Sequence, residues 1–244
     1  MQGKVAVITG GARGIGRLTA QRLAGRGARV VIADVTPDAG EQTAREVSGR
    51  FVHLDVGDAT QWGQVVEDVV AQEGRLDLVH LNAGVAAGVA DVASVSVEEY
   101  RRVMSVNVDG VVFGVQAAVP HMSAGGAIVA TASLGGLVPM ASDPIYSLTK
   151  HAVVAFVRSI APVYADRGIT VNAVCPGFAD TPLVTDEFRR MIAAMQVPLL
   201  DPSVVADTVI RIIDEGRTGE AWFVQPGREP APYEFRGVPG PRAS

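Results

Sequence analysis

Tyr146 and Lys150 stand four residues apart in Tyr146-Ser-Leu-Thr-Lys150, downstream of Ser133. On a helix, positions i and i+4 share one face. A free phenol, with a pKa near ~10, is a poor base at neutral pH. An ammonium held beside it favours the phenolate and pulls that value down. The pair is therefore a candidate acid/base device for moving a proton on and off a hydroxyl, with Ser133 a candidate donor to the same oxygen. Near the amino terminus, Thr9-Gly10-x-x-x-Gly14-x-Gly16 follows the apolar run Val5-Ala-Val-Ile8. Glycines let the backbone approach a diphosphate, and the amino end of a helix offers it free N–H groups. A proton device together with a dinucleotide seat suggests hydride transfer between an alcohol and a ketone. Each motif alone has a plainer reading: a Tyr-Lys pair on a helix surface, a serine that caps a helix, a tight strand-helix turn.

These residues need elements to hold them. Short β-branched runs recur at Lys4–Thr9, Arg29–Ala33, Phe51–Leu54, Leu76–Leu81, Ala127–Thr131, Ile169–Val174 and Ala221–Val224. Their near-continuous hydrophobicity reads as strands buried on both faces. Helical segments lie between them: Gly14–Gly27, one starting at Thr36-Pro37, one capped by Asp58, and one opened by the capping box Ser96-Val-Glu-Glu99. Tyr146–Asp166 and a segment from Asp201-Pro202 to Gly216 follow. Strand-helix alternation along the chain gives one doubly wound α/β (Rossmann) domain over residues 1–225, with a parallel sheet of about seven strands and helices on both faces. Residues 178–200 break the alternation as a candidate substrate flap. Residues 226–244, rich in Pro, Gly and Arg, read as an extended tail.

The chain has 244 residues, 48% hydrophobic and 19% charged, which suits a globular domain. The net charge of -5 and scattered arginines argue against a nucleic-acid surface. The single cysteine, Cys175, excludes an internal disulfide. Neither a leader pattern nor an apolar run long enough for a membrane span stands out, so a cytoplasmic location is expected. His53, His80, His121 and His151 show no metal-ligand spacing, and no metal is expected.

Asp34 ends the second strand, where an acidic side chain meets the adenosine ribose in doubly wound folds. A carboxylate there accepts from the ribose hydroxyls and repels a 2′-phosphate, which favours NAD over NADP. Arg13, in the glycine turn, points weakly the other way. Asp55-Val56 and Asn82-Ala83-Gly84 end the third and fourth strands, where ligands gather. Asp55 could accept from an adenine amine, Asn82 could brace the strands, and Gly84 leaves room for a ribose. Taken singly, each is more readily a turn residue than a ligand.

In this order the motifs closely resemble the short-chain dehydrogenase/reductase family. The matching residues are Thr9-Gly10-x-x-x-Gly14-x-Gly16, Asp34, Asp55, Asn82-Ala83-Gly84, Asn107-Val-x-Gly110, Ser133, Tyr146-x-x-x-Lys150, Pro176-Gly177 and Thr181. The resemblance implies a nicotinamide cofactor and a catalytic tetrad of Asn107, Ser133, Tyr146 and Lys150. It implies that Lys150 also holds the nicotinamide ribose and that Asn107 holds a water linking Lys150 to solvent. The implied cofactor-binding set is Gly10, Arg13, Gly14, Ile15, Gly16, Asp34, Val35, Asp55, Val56, Asn82, Ala83, Gly84, Tyr146, Lys150, Pro176, Gly177, Phe178 and Thr181. It implies a homodimer or homotetramer built on the helices that carry Asn107 and Tyr146. The ending departs from the pattern: Trp222-Phe-Val-Gln-Pro-Gly227-Arg replaces a Gly-Gly pair, which leaves the tetramer geometry open.

The substrate wall is drawn from residues 134–144 and 178–195. It offers Leu137, Val138, Met140, Phe178, Leu183, Val184, Phe188, Met191 and Met195, with Arg189 and Arg190 at the rim; Ser133, Met140, Tyr146 and Phe178 are the expected substrate contacts. An apolar wall predicts a hydrophobic secondary alcohol or ketone as the small-molecule partner. The alternatives are an NADPH-dependent 3-oxoacyl thioester reductase and, from another class, a non-catalytic dinucleotide sensor or scaffold.

Overall fold

Runs of β-branched residues this apolar need cover on both faces, and the sheet supplies a place for each. The computed structural model describes residues 1–194 and 196–237. At its centre lies β1 (Val5–Thr9), buried at every position. It pairs in parallel with β2 (Arg29–Asp34) on one side and β4 (Leu76–Leu81) on the other. The sheet continues outward through β3 (Arg50–His53), and on the far side through β5 (Met122–Thr131), β6 (Thr170–Pro176) and β7 (Ala221–Val224). With β8 (Ala231–Pro232) last, the strand order is β3-β2-β1-β4-β5-β6-β7-β8 among the described residues. The order reverses between β1 and β4, and ligand crevices open at the carboxyl ends of the strands on either side of such a point.

One face is covered by α3 (Ala59–Glu73), α5 (Gly110–Ala118) and α6 (Pro144–Ala165), whose apolar side chains join Val5, Val7, Leu81 and Ile128. The other face carries α1 (Gly14–Gly25), α2 (Pro37–Glu46) and α8 (Pro202–Glu215) over Ala6, Ile8, Leu78 and Ala127. Gly114 lets α5 lie close, since a Cβ there would fall 2.4 Å from Leu81 Cδ2.

Three expectations need correction. An eighth strand, β8 (Ala231–Pro232), forms from the tail and pairs antiparallel with β7, which the Pro-rich composition hides; residues 238–244 lie outside the described residues. A continuous helical rod runs over Val97–His121, 25 residues with mean hydropathy 1.3, long and apolar enough to cross a bilayer by length and composition. It contains α4 (Val97–Met104), one π-helical turn (Ser105–Asp109) and α5. Asn107 and Asp109 interrupt its apolar run in the sequence, and Val103, Val111 and Val115 bury it as a core helix. The capping box at its start is half made: Ser96 accepts the Glu99 amide at 3.0 Å, but the Glu99 carboxylate turns to Arg102.

The segment after β6 is tied at both ends. The Leu200 amide donates to the Phe178 carbonyl at 2.8 Å and the Asp180 amide to the Leu200 carbonyl at 2.9 Å. Between them runs α7 (Asp186–Ala194).

Candidate active site

The turn between β1 and α1 is shaped by left-handed glycines, Gly10 at φ 59 and Gly14 at φ 52. Gly16 is set so close that a Cβ would fall 2.3 Å from the Gly10 carbonyl oxygen. Asn82 fastens this turn to β4, its Nδ2 donating to the carbonyls of Thr9 at 3.1 Å and Gly10 at 3.3 Å. Side chains cap α3 (Asp58), α4 (Ser96), α6 (Asp143) and α8 (Asp201). Among the described residues none caps α1, and its first turn holds no acidic residue. Its first-turn N–H groups are therefore without a side-chain acceptor, which suits an anion. This uncapped turn beside a carboxylate at the end of β2 fits a dinucleotide.

That carboxylate is Asp34, which accepts the Ala12 amide at 3.1 Å and the Thr36 amide at 3.0 Å. Val35 beside it is exposed, as is Asp55 at the end of β3. Val56 contributes no side chain here: it is buried under Gly110, and its carbonyl accepts Trp62 Nε1 at 3.1 Å. A cleft of about 190 Å³ runs from the turn to α6, lined by Gly10, Arg13, Gly14, Ile15, Asn82, Ala83, Gly84, Thr131, Tyr146, Lys150, Thr181, Pro182 and Leu183. Ten of the expected cofactor residues thus share one wall. Gly16 lies behind them.

Asp143-Pro144 starts α6, an N-cap followed by proline at the first helical position, a signal the sequence carries and the expected start at Tyr146 passes over. Tyr146 and Lys150 then project together, with Nζ 5.5 Å from the ring centroid. Lys150 is buried, and its Nζ donates to the Thr131 carbonyl at 2.8 Å. Burial pushes the Tyr146 phenol up to about 12, against the opposing hydrogen bond with Ser133. Burial lowers Lys150 to about 8. The expected depression of the phenol is therefore reversed, because desolvation outweighs the opposing hydrogen bond with Ser133. Cys175 is a fully buried thiol, pushed up to about 12 by burial.

Asn107 is fully buried in the π-helical turn. Its Nδ2 donates to the Val85 carbonyl at 2.8 Å and to Thr149 Oγ1 at 3.0 Å, while its Oδ1 accepts the Val85 amide at 2.8 Å. A Cβ on Gly84 would lie 3.4 Å from both Asn107 Oδ1 and Lys150 Nζ. Only glycine leaves the space between them free.

A second cavity, about 370 Å³, has Ser133 in its wall, and the Ser133 hydroxyl is hydrogen-bonded to Tyr146 of the first. Its walls are Ser133, Leu134, Gly135, Val138, Pro139, Met140, Gly177, Phe178, Val197, Pro198, Gln225 and Pro226. None of these is charged. Gly177 and Phe178 belong to this cavity rather than to the cofactor cleft, while Pro176 turns its carbonyl to the Ser133 hydroxyl at 3.4 Å. The expected wall is redrawn: Leu183 lines the other cleft, Val184 is buried, and Phe188 backs Phe178 edge to face at 5.3 Å. Met191 is exposed, Leu137 packs on the core, and Met195 lies outside the described residues. Arg189 is drawn from the rim by its ion pair with Asp180, and Arg190 donates to the Asp186 carbonyl at 3.3 Å.

A doubly wound sheet with a dinucleotide seat, and a Ser-Tyr-Lys cluster at its crevice, defines an oxidoreductase architecture. The family profile described as short chain dehydrogenase matches residues 4–191. The cis-4-hydroxycyclohexanecarboxylate dehydrogenase of Sinomonas cyclohexanicum is 40% identical over 217 residues, covering 84% of this chain and 87% of that one. The cyclohexanol dehydrogenase of Acinetobacter sp. (strain SE19) is 34% identical over 221 residues, covering 87% and 88%. The crystal structure of a 3-ketoacyl-(acyl-carrier-protein) reductase from Brucella melitensis complexed with NADH superposes with a TM-score of 0.85 at 30% identity, covering 93% and 98%. The chain belongs to the short-chain dehydrogenase/reductase family, and it is an oxidoreductase acting on alcohol groups.

Proposed function

We propose that the protein interconverts an uncharged, hydrophobic secondary alcohol and its ketone, with NAD as the hydride carrier. The observation that carries this reading is the meeting of two unlike cavities at Ser133 and Tyr146: one lined by glycines and carrying Arg13 and Lys150, the other without a charged side chain. A substrate carbinol at their junction meets Ser133 and Tyr146, and its ring or chain extends past Leu134, Met140 and Phe178. The relatives named for cyclohexane alcohols support an alicyclic substrate. The absence of a charged side chain from the described wall favours the neutral member of that class over a carboxylate.

Bound in the cleft, the nicotinamide would accept or return the hydride at the carbinol carbon. Gly10, Gly14 and the free amides of α1 hold the diphosphate, and Asp34 and Val35 border the adenosine ribose. Asp55, Val56 through its N–H, and Ala83 border the adenine side. Pro176 and Thr181 would support the nicotinamide end. Tyr146 takes the hydroxyl proton in oxidation and gives it back in reduction. Ser133 hydrogen-bonds the substrate oxygen and holds it against the phenol. The Lys150 ammonium stabilises the phenolate, and Asn107 keeps the Val85 loop and α6 in place around it. Because burial favours the protonated phenol, the acid role needs no adjustment, whereas the base role depends on Lys150 and Ser133.

Asp34 supports NAD over NADP, since a 2′-phosphate would face its carboxylate. The test is turnover of cyclohexanol, aryl alcohols and 3-oxoacyl thioesters with each dinucleotide, followed by nicotinamide absorbance. Preference for NAD and cyclohexanol is expected. Preference for NADPH and thioesters would replace this reading with a thioester reductase.

A further inference from the structure

His80 lies on β4 beneath the glycine turn and is 3% exposed. Its Nε2 sits 2.9 Å from Thr131 Oγ1. The Thr131 hydroxyl has a single proton, and that proton goes to Asn82 Oδ1 at 3.1 Å. The Asn82 amide cannot be turned round, because its Nδ2 already donates to the carbonyls of Thr9 and Gly10. Thr131 must therefore accept from His80, which fixes the imidazole as the Nε2–H tautomer. Nδ1 has no hydrogen-bond partner among the described residues, so the ring has no place for a second proton.

The same Thr131 presents its backbone carbonyl to Lys150 Nζ at 2.8 Å. Backbone pairing of β4 with β5 ends at Leu81 and Ala130, one residue short of Thr131. Beyond that point the Thr131 hydroxyl joins the two strands by its bond to Asn82, and His80, inside the paired register opposite Val129, reaches up to the same hydroxyl. One branch of this chain reaches the phosphate-seat glycine, Gly10. The other reaches the ammonium beside Tyr146.

We propose that His80 is a positioning residue: through Thr131 it sets the place of Lys150, and through Asn82 it ties that place to the glycine turn that seats the dinucleotide. This rests on the dehydrogenase reading above. It assigns a buried imidazole, which never touches substrate or cofactor, to the spacing between the proton-handling pair and the diphosphate seat.

The test uses the full chain as His80→Leu, His80→Gln, Thr131→Val, Thr131→Ser and the double variant H80L/T131V. NADH affinity is read by fluorescence titration without alcohol, and kcat and KM with cyclohexanol. The imidazole tautomer is read from ¹⁵N shifts. Loss of one buried hydrogen bond predicts that H80L and T131V each weaken NADH binding and lower kcat by about tenfold, with KM for the alcohol unchanged. The double variant is expected to be no worse than the worse single one, because both cut one chain. H80Q and T131S, which keep the donor and the hydroxyl, are expected to recover most of the loss. The inference is overturned by an Nδ1–H tautomer, by wild-type NADH binding and kcat in folded H80L, or by losses that multiply in the double variant. Should H80L not fold, T131V against T131S decides: equality of the two overturns it. Wild-type protein that binds no NADH defeats the dehydrogenase reading, whereas wild-type binding matched by H80L defeats only this inference.

Discussion

Asp143 Oδ1 accepts the amide of Tyr146 at 2.9 Å, and the second oxygen of the same carboxylate accepts the amide of Gly88 at 2.7 Å. The residue that begins the reactive helix also fastens the loop after β4 against it. Asp143→Ala removes a helix cap and leaves the Gly88 N–H without its acceptor. Each loss is of order 1 kcal/mol, so urea unfolding is expected to show about 2 kcal/mol of destabilisation. Asp143→Asn keeps the cap oxygen but replaces the other with an amide donor, and about half that loss is expected. An alanine variant as stable as wild type would show that α6 is held by other contacts.

Asp34 carries the cofactor preference. Its carboxylate holds the amides of Ala12 and Thr36, so it is already oriented at the end of β2 before any ligand arrives. Asp34→Ser shortens the side chain and removes the charge. The ratio of kcat/KM for NADP to that for NAD is expected to rise at least about tenfold, corresponding to roughly 1.4 kcal/mol of altered discrimination. An unchanged ratio would move the selectivity elsewhere, with Arg13 the next candidate.

The readable parts of this protein are those fixed by neighbours in sequence. The glycine turn, Asp34, and the Tyr146-Lys150 spacing declare themselves because turn chemistry and helical period are local. The substrate cavity does not, because Val197, Pro198 and Gln225 reach it only after the flap folds back and β7 takes its place beside β6. Leu183, counted with the wall on apolar grounds, faces the other cleft for the same reason. The upward shift of Tyr146 was equally hidden. Adjacency to an ammonium is visible in sequence, whereas desolvation belongs to the packed state and here dominates. Thr131 and His80 read as strand residues, and their link exists only because β4 and β5 are neighbours.

Tyr146→Phe separates proton transfer from binding. Removing a general acid/base group costs about a hundredfold to ten-thousandfold, so kcat is expected to fall into that range in both directions. NADH affinity is expected to stay within about twofold, since the ring remains and only the oxygen is lost. Because burial lifts the phenol to about 12 and lowers Lys150 to about 8, oxidation by wild type is expected to climb with pH up to about 8 and to level off above it, where the supporting ammonium loses its proton. A phenylalanine variant that retains turnover would remove Tyr146 from the chemistry.

His80 should also leave a signature in stability against pH. Burial lowers it to about 3 from an ordinary value of 6.5. Below its ordinary value the unfolded chain binds a proton that the folded chain refuses. Stability therefore falls as pH falls through that window, by about 1.4 kcal/mol per unit once well below it. Between about pH 7 and about pH 5 the loss from this group amounts to roughly 2 kcal/mol. At higher pH both states carry a neutral ring, and His80 adds no slope. His80→Leu cancels this contribution while leaving the carboxylates and the other histidines to titrate as before. The difference in unfolding free energy between wild type and the variant is thus expected to shift by about 2 kcal/mol in favour of the variant on acidification across that range. Parallel curves for the two proteins would mean that the folded site accepts the second proton after all.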